Sequence, residues 1–281
     1  NDWPEGFRAQ RILDLLAKTP VHTSDSFAVI QNDVVSLGAR ALAQAMFDSV
    51  RPKDRTTSII AAFDQWDGEM SADRREPLLY AAWSHALRAR LIDDELGPHA
   101  PAYRGVPVRV LTNMLTQERG WCDDVRTPNA ETCEAIAVEA LTTSLSALDD
   151  KYGKDRKKWR WGDAHKAAFE HILLRFAGPF SGLFAPTVST GGGDHTINRG
   201  TYRKAGRASF PHVHGAGLRA IFDMANPGAA RFMIAPGQSG HIASPYYGDL
   251  ADQWRDGRYI MLNGTREELQ RNATSELNLR P

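Results

Sequence analysis

A serine and a histidine lie close together in the segment 237–241, which reads Gly-Gln-Ser-Gly-His. A serine nucleophile on a strand-to-helix elbow requires Gly-x-Ser-x-Gly, and His241 occupies the position of the last glycine. The segment also differs from the Gly-Asp-Ser-Gly-Gly of trypsin-like enzymes, and a histidine nearby in sequence says nothing about a triad in space. The residues therefore favour a glycine-rich turn after the strand-like stretch 231–237.

Three further patterns have the residue types of ion-binding sites. His212 and His214 fall on one face of a predicted strand, a spacing that binds a metal only when a third ligand comes from elsewhere. The segment 189–202 is rich in glycine but lacks the Lys-Ser/Thr and the following helix of a phosphate-binding loop, so we expect a mobile loop there. The acidic run 93–95 is typical of a solvated helix end. We predict no metal and no cofactor from these patterns.

The first amphipathic stretch carries Arg8, Arg11 and Asp14. The fixed donor fork of an arginine can orient a carboxylate or a carbonyl group, although the pattern alone is typical of solvated charges. The residues by themselves therefore contain no complete catalytic set.

Composition excludes several classes of protein. The 281 residues contain 34 basic and 34 acidic side chains, so no positive excess indicates binding to nucleic acid. No apolar run approaches the roughly 20 residues that a membrane span needs, and the start lacks a signal-like apolar stretch. Because the chain also lacks an initial methionine, we expect it to be processed or truncated.

Two cysteines, Cys122 and Cys133, flank a polar turn just before a helical pattern. A disulfide between them would remove chain entropy worth about 2–3 kcal/mol and would require an oxidising compartment such as the periplasm. The alternative is two unrelated thiols. A zinc site is not indicated, because zinc sites normally show two ligand pairs.

Hydrophobic periodicity divides the chain into a helical part, 1–155, and a strand-rich part, 156–281. Apolar residues recurring every three or four positions predict helices over 7–19, 23–50, 54–66, 71–96, 107–117 and 130–153. Thr23 or Ser24 is the predicted cap of the second helix. In the strand-rich part, Asn-Pro-Gly at 226–228 indicates a hairpin, and the end predicts a strand, a short helix after Asn263 or Gly264, and a terminal strand. The fold class predicted is α+β, with helices leading and a sheet closing.

Six stretches together resemble the C-terminal half of the β chain in the penicillin acylase family, which includes N-acyl homoserine lactone acylases. They are 5–16, 30–40, 121–133, 159–171, 191–202 and 214–269. The resemblance implies that the chain is part of a four-layer αββα N-terminal-nucleophile hydrolase fold. In this family a precursor cuts itself and exposes a serine as the first β residue, whose own α-amine is the base. Backbone and side-chain amides then stabilise the oxyanion.

The resemblance assigns one residue of this chain to the active site. Arg8 matches the family's arginine in the Arg-Ala-x-Arg-Ile segment, which lies near the active site and helps orient catalytic groups. Asn1 is too close to Arg8 to match the family's oxyanion asparagine, and a carboxamide cannot replace a serine nucleophile. Ser239 falls in a structural turn of the family. The nucleophile therefore belongs to a segment upstream, or to another chain.

We accordingly expect a periplasmic or secreted amidohydrolase assembled from this chain, an α chain and the N-terminal segment of the β chain. Its expected substrates are acyl homoserine lactones first, β-lactam antibiotics second and acylated lipopeptides third. One alternative is a non-catalytic structural or binding module on the acylase scaffold. Another is a metallohydrolase that uses His212 and His214 with a distant carboxylate.

Overall fold

The computed structural model describes residues 5–50, 60–61, 63, 65–103 and 105–279, and the chain divides into two compact units. The first unit comprises Asn1–Lys18, Asp33–Ala168 and Ser189–Gly215, and the second comprises Thr19–Asn32, Phe169–Val188 and Ala216–Pro281. Because the units alternate along the chain, each takes its elements from separate stretches. The predicted division at residue 155 concerns secondary-structure content and stays a prediction. Asn1 and most of the predicted helix 54–66 lie outside the described residues.

The α-helices of the described residues are numbered here in chain order. They are α1 (Phe7–Leu16), α2 (Ser24–Gln31), α3 (Leu37–Asp48), α4 (Glu76–Leu96), α5 (Val108–Thr116), α6 (Cys133–Tyr152), α7 (Trp161–Ala164), α8 (Ala251–Arg255) and α9 (Arg266–Asn272). Short 3-10 helices cover Gly97–Tyr103, Arg119–Cys122, Leu174–Phe176 and Gly178–Phe184. None of the described helices is both long and apolar enough to cross a bilayer.

The core of the first unit lies around α4 and α6, the longest helices in the part of the chain that the structure describes. Trp83 of α4 is completely buried, and its indole N–H donates a hydrogen bond of 3.0 Å to the carbonyl of Ala137 on α6. This bond matters because a buried indole N–H without a partner would cost free energy. Each large apolar side chain buried in this way contributes about 1.5–3 kcal/mol. Packing therefore provides a rigid helical base for the unit.

The strands are short. They are β1 (Lys166–Ala168), β2 (Thr187–Ser189), β3 (Gly200–Tyr202), β4 (His212–Gly215), β5 (Leu218–Ile221), β6 (Ala229–Ile234) and β7 (Ile260–Asn263). In the first unit β4 pairs with β1 in parallel and with β3 in antiparallel orientation. In the second unit β5, β6 and β7 form an antiparallel sheet in that order, so the predicted hairpin at 226–228 is confirmed.

The predicted continuous helix over 23–50 is wrong, because α2 ends at Gln31 and α3 begins at Leu37. The polar side chains between them bind the backbone locally, which competes with helix formation. Asp33 Oδ1 accepts a hydrogen bond from the amide of Val35, and Ser36 Oγ accepts one from Ala39, which caps α3. Thr23 is confirmed as the cap of α2.

The C-terminal prediction is partly correct. β7 and α9 form as expected, and Thr265 caps α9. The predicted terminal strand is wrong, since residues 273–279 form no strand. A strand is stable only when a neighbour completes its hydrogen bonds, and an alternating apolar pattern cannot supply that neighbour.

Candidate functional site

Arg8, the residue assigned by resemblance, is the second residue of α1. It is half-buried, and it forms no hydrogen bond or ion pair with other residues in the described ranges. A guanidinium can orient a carboxylate or a carbonyl oxygen through its donor fork. Glu5 lies three residues before it and Arg11 three residues after it, and both of these are strongly bound.

Glu5 joins the start of α1 to the start of α5. Its Oε2 accepts a hydrogen bond of 2.9 Å from the amide of Val108, and its Oε1 accepts one of 2.8 Å from the amide of Arg109. These amides have no partner within their own helix, and the residue before them, Pro107, caps neither of them. A carboxylate at this position also interacts favourably with the helix dipole. The Arg109 guanidinium in turn lies 5.2 Å from the ring centroid of Phe7.

Arg11 forms a bidentate ion pair with Asp33. Its Nε and Nη2 donate hydrogen bonds of 3.0 and 2.6 Å to the two carboxylate oxygens. The side chains are only 16% and 13% exposed, and the hydrogen bond to Asp33 is the largest cause of a raised Arg11 pKa. The Asp33 carbonyl also accepts a 2.9 Å hydrogen bond from the amide of Asn198. The pair therefore links α1 to both the turn before α3 and the glycine-rich segment.

His195 lies beside these residues. Its Nε2 is 3.7 Å from Glu5 Oε2, and its ring stands edge-on to Phe7 with the centroids 5.5 Å apart. Burial lowers the pKa of His195, although the negative charges of Glu5 and Asp194 oppose that shift, and Arg8 adds to it. Burial also raises the pKa of Asp194. The imidazole is therefore held neutral at pH 7, next to a carboxylate and near the Arg8 guanidinium. We call Glu5, Arg8, Arg11, Asp33 and His195 the α1 cluster.

The glycine-rich segment 189–202, predicted to be a mobile loop, is instead tightly hydrogen-bonded. Thr196 is completely buried, and its hydroxyl bonds to the amide and carbonyl of Gly193 and to the carbonyl of Asn198. Gly192 has a φ of 88°, and a Cβ there would lie 2.5 Å from the Asn198 oxygen. Glycine is therefore required for close packing at this point, and the segment is a rigid support for Asp194 and His195.

Among the residues that the structure describes, the two histidines of β4 are not joined by further metal ligands. The ring of His212 stacks on that of His165, with centroids 4.8 Å apart, and its Nδ1 lies 2.9 Å from the Thr190 hydroxyl. His214 is exposed. Within the described ranges, no group of three or more His, Cys, Asp or Glu side chains is placed to hold a metal ion.

The Ser239 segment forms a turn. The amides of Gln238 and Ser239 both donate to the carbonyl of Tyr246, and Ser239 Oγ accepts a hydrogen bond from the amide of His241. The His241 Nδ1 in turn accepts from the amide of Ala243. Both side chains therefore stabilise the local backbone.

Cys122 and Cys133 are joined by a disulfide, and both residues are buried. The loop between them is ordered by carboxylates that accept backbone hydrogen bonds. Glu131 Oε2 accepts from the amide of Asp124, and Asp94 Oδ2 accepts from the amide of Val125. Asp94, within a run expected to be solvated, is thus buried and anchors this loop.

A model of the family described as penicillin amidase matches residues 1–271. The chain belongs to the penicillin amidase family. The resemblance identified from the sequence is thereby confirmed.

Several curated relatives are acylases. The acyl-homoserine lactone acylase QuiP of Pseudomonas aeruginosa is 27% identical over 92% of this chain and 35% of its own length. The penicillin acylase 2 proenzyme of Pseudomonas sp. (strain SE83) is 26% identical over 98% of this chain and 35% of its own length. The chain thus spans about a third of the length of the curated relatives that it matches.

The thermostable penicillin G acylase of Alcaligenes faecalis has a similar fold. Its solved structure aligns with a TM-score of 0.56 and 15% identity, covering 99% of this chain and 53% of that one. The predicted fold class is confirmed: the chain is α+β, with a helix-rich first half and a β-rich second half, and is part of the four-layer αββα N-terminal-nucleophile hydrolase fold.

Sequence reasoning did not identify Glu5, Asp33 and His195. Their partners lie up to 190 positions away along the chain, as Glu5 and His195 do, so no periodicity reveals them. The one available signal was Glu5 at three residues before Arg8, which the sequence alone did not distinguish from a solvated acid.

Proposed function

We propose that this chain is part of an amidohydrolase that releases an acyl chain from a linear amide. The nucleophile is an N-terminal serine carried on another segment of the same precursor. Membership of the penicillin amidase family carries this proposal, and the position of Arg8 within the matched residues supports it. Acyl homoserine lactones are the first substrate class, in line with the names of several relatives, followed by β-lactam antibiotics and acylated lipopeptides.

In the proposed reaction, the serine hydroxyl attacks the amide carbonyl carbon while the serine's own α-amine accepts the hydroxyl proton. The tetrahedral intermediate collapses, the amine leaves with that proton, and water then hydrolyses the acyl-enzyme. Arg8 orients a catalytic carbonyl or carboxylate group through its two parallel N–H donors.

The surface of the second unit supports association with an α chain and with the preceding β segment. Five large apolar side chains between residues 172 and 183 are each more than 60% exposed: Ile172, Leu173, Phe176, Phe180 and Leu183. Large apolar side chains exposed together within one short segment are typical of an interaction site. Other segments of the same precursor are the proposed cover, because the chain spans only about a third of its relatives.

The disulfide supports a periplasmic or secreted location, where thiols oxidise. Maturation by self-cleavage of a precursor belongs to the same proposal. It predicts that mass spectrometry of the purified protein finds a companion chain beginning with serine. A preparation that contains only this polypeptide, folded and without turnover, would favour the non-catalytic module instead.

The role of Arg8 is tested in the full-length protein with Arg8→Ala and Arg8→Lys. We expect Arg8→Ala to lower kcat for acyl homoserine lactone hydrolysis by at least tenfold. Arg8→Lys should restore only part of it, because lysine keeps the charge but loses the planar fork. Gln10→Ala, an exposed position on the same helix, is the matched control. Unchanged turnover and unchanged maturation of Arg8→Ala would remove Arg8 from the site.

A further inference from the structure

We infer that Glu5 and Asp33 are positioning residues for Arg8, acting through α1 without touching the reacting atoms. This inference rests on the proposed function of Arg8. Because α1 makes little hydrophobic contact, polar contacts must help to keep Arg8 in place.

Helix α1 is held weakly by apolar packing. None of its residues is fully buried, and Leu13 is 59% exposed. Phe7 is half-buried against Gly38, where a Cβ would lie 2.9 Å from the phenyl ring. Besides Phe7, only Leu15 and Leu16 at the far end are half-buried apolar residues of the helix, so polar contacts near Arg8 must help to set its rotation about its own axis.

The first such contact is the Glu5 carboxylate. It binds two backbone amides at the N-terminus of α5, and a pair of backbone donors can be contacted at good geometry from only a narrow range of positions. The carboxylate is 12% exposed, and His195 lies on its other side at 3.7 Å. Glu5 thus fixes where α1 begins.

The second contact is the Arg11–Asp33 pair. A bidentate guanidinium–carboxylate interaction fixes orientation as well as distance, because both parallel hydrogen bonds must form together. Asp33 is itself fixed by the amide of Val35 and by its own carbonyl bond to Asn198. Arg11 therefore sets the rotation of α1 one turn beyond Arg8.

Arg8 lies between these two contacts, three residues after Glu5 and three residues before Arg11, and the distance to Arg11 along the helix axis is about 4.5 Å at 1.5 Å per residue. If either contact is lost, α1 can rotate about the remaining one. A rotation of about 20° moves a side-chain tip about 5–6 Å from the helix axis by about 2 Å. Since a misplacement of about 1 Å can lower the rate of an oriented reaction by about 100-fold, the two anchors determine whether Arg8 reaches its target.

The test is a double-mutant cycle in the full-length enzyme, with kcat and KM measured for an acyl homoserine lactone. Glu5→Gln and Asp33→Asn are each made with Arg8 present and with Arg8→Ala. In the presence of Arg8 we expect each change to lower kcat by about 10–100-fold. In the Arg8→Ala protein we expect no further fall, because the group being positioned is already absent.

Asp149→Asn is the matched control, since Asp149 forms an equivalent bidentate pair with Arg156 in the same unit. It should leave kcat unchanged. If Asp33→Asn fails to yield mature enzyme, Arg11→Lys replaces it, because lysine keeps the charge but cannot form the two parallel hydrogen bonds.

The outcomes separate the inference from the proposed function. An equal fall of kcat in both backgrounds, or unchanged kcat with Arg8 present, would overturn the positioning role while leaving Arg8 itself in place. Wild-type turnover of the Arg8→Ala protein alone would instead show that the proposed role of Arg8 is wrong, and the inference would end with it.

Discussion

Three histidines, His165 buried and His85 and His212 half-buried, should make the first unit sensitive to acid. His165 is completely buried, and its ring lies between those of Trp161, at 4.4 Å, and His212, at 4.8 Å. His85 packs at 5.8 Å from the Phe210 ring in the same aromatic cluster. Burial is the main cause that lowers the pKa of His165 to about 3 and the pKa values of His212 and His85 to about 4.

The sign and size of the effect follow from proton linkage. Unfolded histidine titrates near pH 6.5, so below that pH the unfolded chain binds protons that the folded chain does not bind until about pH 4. The contribution of these histidines to the free energy of unfolding is therefore fully present above about pH 6.5, and it decreases as the pH falls towards 4. At pH 5.5 each of these histidines lowers the free energy of unfolding by about 1.4 kcal/mol, and the three together by about 4 kcal/mol.

Replacing His85 by phenylalanine tests this reasoning, because phenylalanine keeps an aromatic ring against Phe210 and removes the titrating group. The free energy of unfolding of each protein is measured by urea denaturation at pH 7.5 and at pH 5.5. The decrease between these two pH values should be about 1.4 kcal/mol smaller in His85→Phe than in the parent. The exposed His99 is the control, since His99→Phe removes a histidine outside the aromatic cluster. An acid sensitivity of His85→Phe equal to that of the parent would refute the argument.

Three further changes test the structural reading of the first unit. Replacing Cys122 by alanine opens the loop of sequence separation 11 and should lower the free energy of unfolding by about 2–3 kcal/mol relative to the disulfide-bonded parent, measured by urea denaturation, with the reduced parent as the control that should show a similar loss. Gly192→Ala should destabilise the protein and lower its melting temperature, because the positive φ and the nearby Asn198 oxygen leave no space for a Cβ. Thr132→Ala removes the cap on the amide of Ala135 and should cost about 1 kcal/mol, with Thr132→Ser as the control that keeps the hydroxyl.

The sequence predicted those parts of the fold that depend on local pattern. The recurrence of apolar residues every three or four positions predicted α4, α5 and α6. The residue types at Thr23 and at 226–228 predicted a helix cap and a hairpin. These features form from contacts within a few residues, so neighbouring positions carry the information.

The contacts of the candidate site were not predictable in the same way. Glu5 reaches amides more than 100 positions away, and Arg11 pairs with Asp33 at a separation of 22. The glycine-rich segment 189–202 was misread for a related reason, because glycine permits flexibility in isolation but here allows close packing around Thr196. Whether a charged residue is paired, or a glycine-rich segment is closely packed, depends on partners that are distant along the chain. The sequence does not show which residues those partners are.

The arrangement of α1 is most easily understood if its uncovered side faces the rest of the precursor. A helix in a self-contained domain normally turns an apolar stripe towards a core, whereas Ile12 and Leu13 of α1 are 36% and 59% exposed. Polar anchors hold α1 from the side of Glu5 and Asp33, and they leave Arg8 without a partner among the described residues. Under the proposed function, the segment that carries the serine packs against this side of α1. The Arg8 guanidinium then becomes buried beside the reacting amide, where the loss of water strengthens its interaction with a carbonyl or carboxylate oxygen.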